Sequence, residues 1–124
     1  MALKEYLGAV ILEVDGQEVE CEDFNVTIKT GRKLVKTMNR TGRPAGFAQG
    51  VQEIDIKVTA VIPADGDLDW LAIKGAKLTI YPVIAGGQRV SYLDCFTTDV
   101  GEKYQVDGEA KRDLSLNALR RVVE

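Results

Sequence analysis

The chain contains no histidine. That absence removes the Ser-His-Asp and Cys-His arrangements of nucleophilic catalysis, the imidazole ligand of many metal centres, and the one side chain whose unperturbed pKa lies near neutrality. Its two cysteines, Cys21 and Cys95, are far apart and form no C-x-x-C pair, so neither a zinc knuckle nor a redox motif is written here. One bridge between them is geometrically conceivable; in a reducing compartment two half-buried thiols on strands are the expected state, and neither is assigned a role. Long apolar runs are missing too. The run Ala9 to Leu12 is stopped by Glu13, well short of the roughly 18 residues that a helical membrane span takes. The N-terminal MALKEYLGAV has neither the basic region nor the apolar core of a signal peptide, which predicts synthesis in the cytoplasm and no membrane partner.

Motifs that bind phosphate or arm a nucleophile are also lacking. There is no Walker motif, no G-x-G-x-x-G and no G-x-S-x-G, and Gly42, Gly46 and Gly50, spaced by four, form no phosphate cradle. Asp65, Asp67 and Asp69 resemble the opening of an EF-hand loop. The glycine and the bidentate acid that such a loop needs further along are Trp70 and Ala76 here, so the aspartates are read as a turn and a helix cap. The expectation is a protein with no catalytic residue, no cofactor and no metal site.

What is present is the pattern of a mostly β protein. With 124 residues, 45% of them hydrophobic, 28% charged and a net charge of −3, the chain has the composition of one globular domain spanning 1–124. Ala9 to Val14 is rich in β-branched residues and runs into Asp15-Gly16, a hairpin signal, with a return over Gln17 to Cys21. Phe24, Val26 and Ile28 then alternate with Asn25, Thr27 and Lys29. The same period of two recurs in Ile54, Ile56, Val58, Ala60 and Ile62 against Glu53, Asp55, Lys57 and Thr59, until Pro63. Leu68, Trp70, Leu71 and Ile73, behind Asp67 and before Gly75, predict a short α-helix. Leu78, Ile80, Pro82 and Ile84 predict a strand that is at an edge or bulged near Pro82, turning at Gly86-Gly87 into Val90, Tyr92, Asp94 and Phe96. A last hairpin turns at Asp107-Gly108 between Lys103 to Val106 and Ala110 to Ala118. About seven or eight short strands and one flanking helix describe an antiparallel sandwich or barrel.

Between the early strands the pattern breaks. Residues Gly31 to Gly50 hold four glycines and a proline with no sustained apolar period, which predicts one long loop; structureless loops beyond about 15 residues are usually functional or disordered. This one is basic. Lys29, Arg32, Lys33, Lys36, Arg40 and Arg43 lie between Asp23 and Glu53 with no acid among them, whereas Glu5, Glu13, Asp15, Glu18, Glu20, Glu22 and Asp23 crowd the N-terminal stretch. A solvated loop, a nucleic-acid contact with only Phe47 to stack on a base, and a grip on the acidic surface of a second copy all fit such a charge pattern. Head-to-tail pairing of unlike surfaces would generate rings or open filaments.

The segments GAVILEVDGQEVECEDFNVTIKTG, VQEIDIKVTAVIP and GEAKRDLSLNALRRV, in this order around a basic glycine-bearing stretch, resemble the tail tube proteins of bacteriophages. The short tube subunits of contractile tails and related prophages are the nearest in size. The resemblance implies a β-sandwich protomer that forms hexameric rings, stacked into a hollow tube through which DNA is ejected. It further implies a virion tail protein assembled in the bacterial host cytoplasm, with itself and the tape measure, baseplate and terminator proteins as partners and with transient contact with DNA in the lumen. By position, 31–50 becomes an inter-ring loop with Arg32, Lys33, Lys36, Arg40 and Arg43 as contact residues. Glu53 and Asp55 become candidate lumen-facing acids that repel phosphates, and Trp70 a core anchor. A tail terminator or head-to-tail connector ring shares the β character, as does the tube of an injecting secretion system. A single-stranded nucleic-acid-binding barrel would instead need exposed aromatics, for which Tyr81, Tyr92 and Tyr104 are the candidates.

Overall fold

A computed structural model of the chain describes residues 3–4, 6, 8–65, 68–83 and 88–123. Among them are ten strands: β1 Val10–Val14, β2 Gln17–Val19, β3 Cys21–Lys29, β4 Arg32–Val35, β5 Gly46–Gln49, β6 Glu53–Val61, β7 Lys74–Pro82, β8 Val90–Lys103, β9 Lys111–Ala118 and β10 Arg120–Val123. Eight of them form one antiparallel sheet in the order β2-β1-β7-β8-β9-β6-β3, with β10 paired to β8. The two ends of that path, β2 and β3, are separated in sequence only by Glu20. The sheet must therefore curl until its ends lie side by side, and the Val61 N–H donates to the Glu20 carbonyl at 3.2 Å at that corner. The result is a curled antiparallel half-barrel, as the alternating pattern predicted.

The first hairpin forms as expected. Asp15 and Gly16 have φ of 50° and 86°, the paired left-handed geometry that matches the twist of two antiparallel strands. The turn is pinned to β7 twice, the Asp15 N–H donating to the Lys77 carbonyl and the Asp15 carboxylate accepting from the Lys77 N–H, each at 2.9 Å. The concave side of the curl holds the core: Leu12 and Val14, Ile54, Ile56 and Val58, Leu78, Tyr92, Leu114 and Leu116 are all buried. Each such aliphatic side chain contributes about 1.5–3 kcal/mol by leaving water. The rings of Phe24 and Tyr92 approach to 6.4 Å across the curl.

Bulges decide which face β8 presents. Asp94 has φ 57°, and opposite it the register slips from Leu78–Tyr92 to Ala76–Cys95. One extra residue on β8 swaps the faces beyond it. Cys95 is fully buried and Phe96 is turned outward, the reverse of the alternation read from the sequence. Both cysteines are free thiols.

Three expectations are corrected. The short α-helix is a single 3-10 turn, Trp70–Ala72. Asp69 before it and Ile73 after it are extended, so three residues remain, too few to repay helix nucleation; Leu71 is exposed, and the expected cap Asp67 lies outside the described residues. β7 is not an edge strand, since it lies between β1 and β8. Pro82 is its last residue, past the final β8 pair Ile80–Val90, and the bulges fall between Lys74 and Leu78. The turn at Gly86-Gly87 and Ile84 also lie outside the described residues. Finally, 31–50 is no structureless loop. β4 and β5 pair from Arg32–Gln49 to Val35–Gly46 and prolong the β3–β6 ribbon beyond the sheet.

Candidate assembly surface

The prolonged ribbon is fully exposed: every residue of β4 and β5 is open to solvent. Its base is a crossing of two glycines. The Gly50 N–H donates to the Gly31 carbonyl at 2.8 Å, and Gly31 sits at φ +79° with its missing Cβ only 2.4 Å from the Val51 carbonyl oxygen. No side chain fits there. Beyond the crossing, strand periodicity puts Arg32 and Leu34 on one face with their partners Gln49 and Phe47. The Arg32 guanidinium lies 5.9 Å from the Phe47 ring centre, a cation–π distance. Leu34, Phe47, Met38 and Val51 all expose most of their surface.

The tip is ordered by one residue. The Asn39 side-chain oxygen accepts from the Thr41 N–H at 3.0 Å, the Thr41 hydroxyl at 2.7 Å and the Gly42 N–H at 3.1 Å, while its amide donates to the Arg43 carbonyl at 2.9 Å. An asparagine can close a turn this way without tertiary support. Arg32, Lys33, Lys36, Arg40 and Arg43 are thus brought together on one projecting arm. Among the described residues none of the five forms an ion pair.

Glu53 and Asp55 stand on the polar face of β6, opposite to the core. Asp55 is 3.7 Å from the Lys29 ammonium, and the Asn117 amide, turned with its nitrogen toward it, donates at 2.7 Å. Lys57 shares this face, so its acids are interleaved with lysines. Trp70, 3% exposed, belongs to the buried core cluster. The three tyrosines do not form a row: Tyr92 is buried, Tyr81 donates to Glu13 at 2.7 Å, and Tyr104 to Glu102 at 2.6 Å. The bond to Glu13, chiefly, raises the Tyr81 pKa above its ordinary value. No group of three metal-ligating side chains occurs among the described residues.

The apolar half of the arm escaped the sequence reading. Leu34 and Phe47 are 13 positions apart and share a face only once Gly31 and Gly50 have crossed. No local signal marked it: RKLV places two cations before two aliphatics and GFAQ holds one large apolar residue, so neither shows the period of two that identifies a strand.

Neither a family model nor a curated protein matches the chain by sequence. Solved structures do match. The sheath/tube terminator of an extracellular contractile injection system, in its extended state, superposes with a TM-score of 0.77 at 14% identity over 99% of both chains. The tube-terminating cap of the anti-feeding prophage gives 0.72 at 11% identity, covering 100% of this chain and 94% of that one. The SPP1 tail tube gives 0.70 at 12% identity, covering 93% and 74%. The chain carries the phage tail tube-type fold.

Proposed function

We propose that this chain is a structural subunit of a tail tube-type assembly, which closes into rings with copies of itself and stacks them through the arm at 31–50. The observation that supports this reading is the combination of that fold with an arm whose five basic side chains form no ion pair among the described residues and whose Leu34 and Phe47 are exposed. A monomer gains nothing by holding apolar and cationic groups together in water. In a ring stack, Arg32, Lys33, Lys36, Arg40 and Arg43 meet the next copy. Glu53 and Asp55, with Lys29 and Lys57 beside them, face the lumen and give DNA a wall of mixed charge that does not grip phosphate. Tail partners such as a tape measure, a baseplate and a terminator, a location in the virion tail, and ejection of DNA through the conduit all follow from that reading.

A second reading is favoured by the terminator structure, which matches over 99% of both chains. In that case the chain caps a tube, forms a single ring layer, and the arm seats it on the last ring. Electron microscopy of the purified protein at rising concentration separates the two: hollow tubes of uniform width that lengthen with concentration mark a tube subunit, and isolated rings mark a terminator. Replacing Arg32, Lys33 and Lys36 together by Glu leaves a folded protein that cannot stack. Stacking undiminished by that substitution would remove the arm from the interface.

A further inference from the structure

A cavity of about 300 Å³ opens at the corner where the curled sheet closes, lined by Glu18, Glu20, Val61, Pro63, Asp65 and Trp70 among others. Val61, Pro63 and Trp70 contribute apolar lining, and Glu18, Glu20 and Asp65 acidic lining. Among the described residues Glu18, Glu20 and Asp65 form no ion pair. The corner stands at the Val61 end of β6, whereas the arm leaves the Glu53 end. The nine residues of β6 hold them apart by roughly 25–30 Å, so an arm cannot reach the cavity of its own chain.

We infer that this corner cavity is the acceptor for the arm of a second copy, with Phe47 against Val61, Pro63 and Trp70, and Arg32, stacked on it, against Glu18, Glu20 and Asp65. Three observations meet here. The donor carries cations without ion pairs among the described residues beside exposed apolar side chains, the acceptor carries acids in the same state beside apolar ones, and the two sit at opposite poles of one ribbon. An aromatic–arginine pair entering a pocket is the usual form of an interface anchor. Because donor and acceptor are different surfaces, the contact is heterologous: each copy that docks presents a fresh cavity, and the series propagates until a ring closes or a stack ends. Like-charged poles also keep two arms, or two cavities, from pairing with each other.

This inference rests on the assembly reading above, and a crosslinking experiment separates the failure of one from the failure of the other. In the full-length protein with Cys21→Ser, which leaves only the buried Cys95, the substitutions Leu34→Cys, opposite Phe47 on the same face of the arm, and Pro63→Cys are combined in one chain and oxidised at rising concentration. The inference expects a disulfide ladder of dimers, trimers and higher species. It also expects no ladder when Pro63→Cys is replaced by Val122→Cys on β10. Adding Arg32→Glu and Lys33→Glu lowers ladder formation about tenfold or more, and high salt lowers it further; adding Glu18→Lys and Glu20→Lys to that chain restores it. A ladder without tubes supports the docking and refutes the tube. Tubes or rings without a ladder refute the docking and leave the assembly reading intact. Neither product refutes both, and a ladder that the charge reversal does not restore overturns the electrostatic pairing.

Discussion

Gly31→Ala tests whether the arm is aimed by the glycine crossing. Two costs combine at this position. A left-handed residue with a Cβ costs about 1–2 kcal/mol, and the new Cβ would stand 2.4 Å from the Val51 carbonyl oxygen and 2.7 Å from its carbon, both main-chain atoms that cannot swing aside. Gly75 provides the control, because its φ is +76° and a Cβ there would meet nothing within 4 Å. Gly75→Ala therefore carries the first cost alone, about 1 kcal/mol of global stability, and leaves the arm unchanged. In Gly31→Ala the clash is relieved most cheaply by opening the crossing, since the arm buries little and holds only the β4–β5 ladder. Its cost is thus capped at the free energy of unzipping the arm and appears locally. Hydrogen exchange is the assay: the Gly50 amide, bonded to Gly31 at 2.8 Å, and the arm amides should exchange about tenfold faster or more, with the β6–β9 amides slowed or quickened no more than in Gly75→Ala. Stacking should be lost as well, since a swung arm no longer meets its acceptor. Wild-type exchange at Gly50 in Gly31→Ala would refute the aiming role of the crossing.

Two further outcomes concern the core. Trp70→Ala should cost about 3–5 kcal/mol in urea denaturation, the usual loss for a buried tryptophan; a variant of near wild-type stability would show that its burial in the core is energetically idle. Burial pushes the Cys95 thiol up to about 11 from its ordinary 9.0, so the unfolded chain ionises it first, and the contribution present below pH 9 is lost as the pH rises toward 11. The stability of the wild type should fall more steeply across that window than that of Cys95→Ala, and parallel profiles would refute the assignment.

The candidate site was legible in charge and illegible in shape. A run of cations from Lys29 to Arg43 without an acid is visible in any reading of the chain, and so is the acidic first hairpin. That the run is a paired ribbon depends on a crossing between Gly31 and Gly50, and a glycine pair looks in sequence like a break in structure. The same holds for the 3-10 turn: Leu68, Trp70, Leu71 and Ile73 have helical spacing, but Ile73 leads into β7 and tertiary pairing took it.

By itself the sequence determined the class of fold, because alternation such as that of Ile54, Ile56, Val58 and Ala60 gives a strand one buried face, and β pairing is the arrangement that satisfies it. It also excluded imidazole chemistry through composition alone. Only the tertiary structure decided where that sheet closes, which side of β8 is core, and where the arm points. Those outcomes rest on the extra residue at Asp94, on the juxtaposition of β2 with β3 around Glu20, and on two glycines 19 positions apart. Each depends on strands brought together by the rest of the sheet, and its energy does not exist until those partners are in place, so no local pattern encodes it.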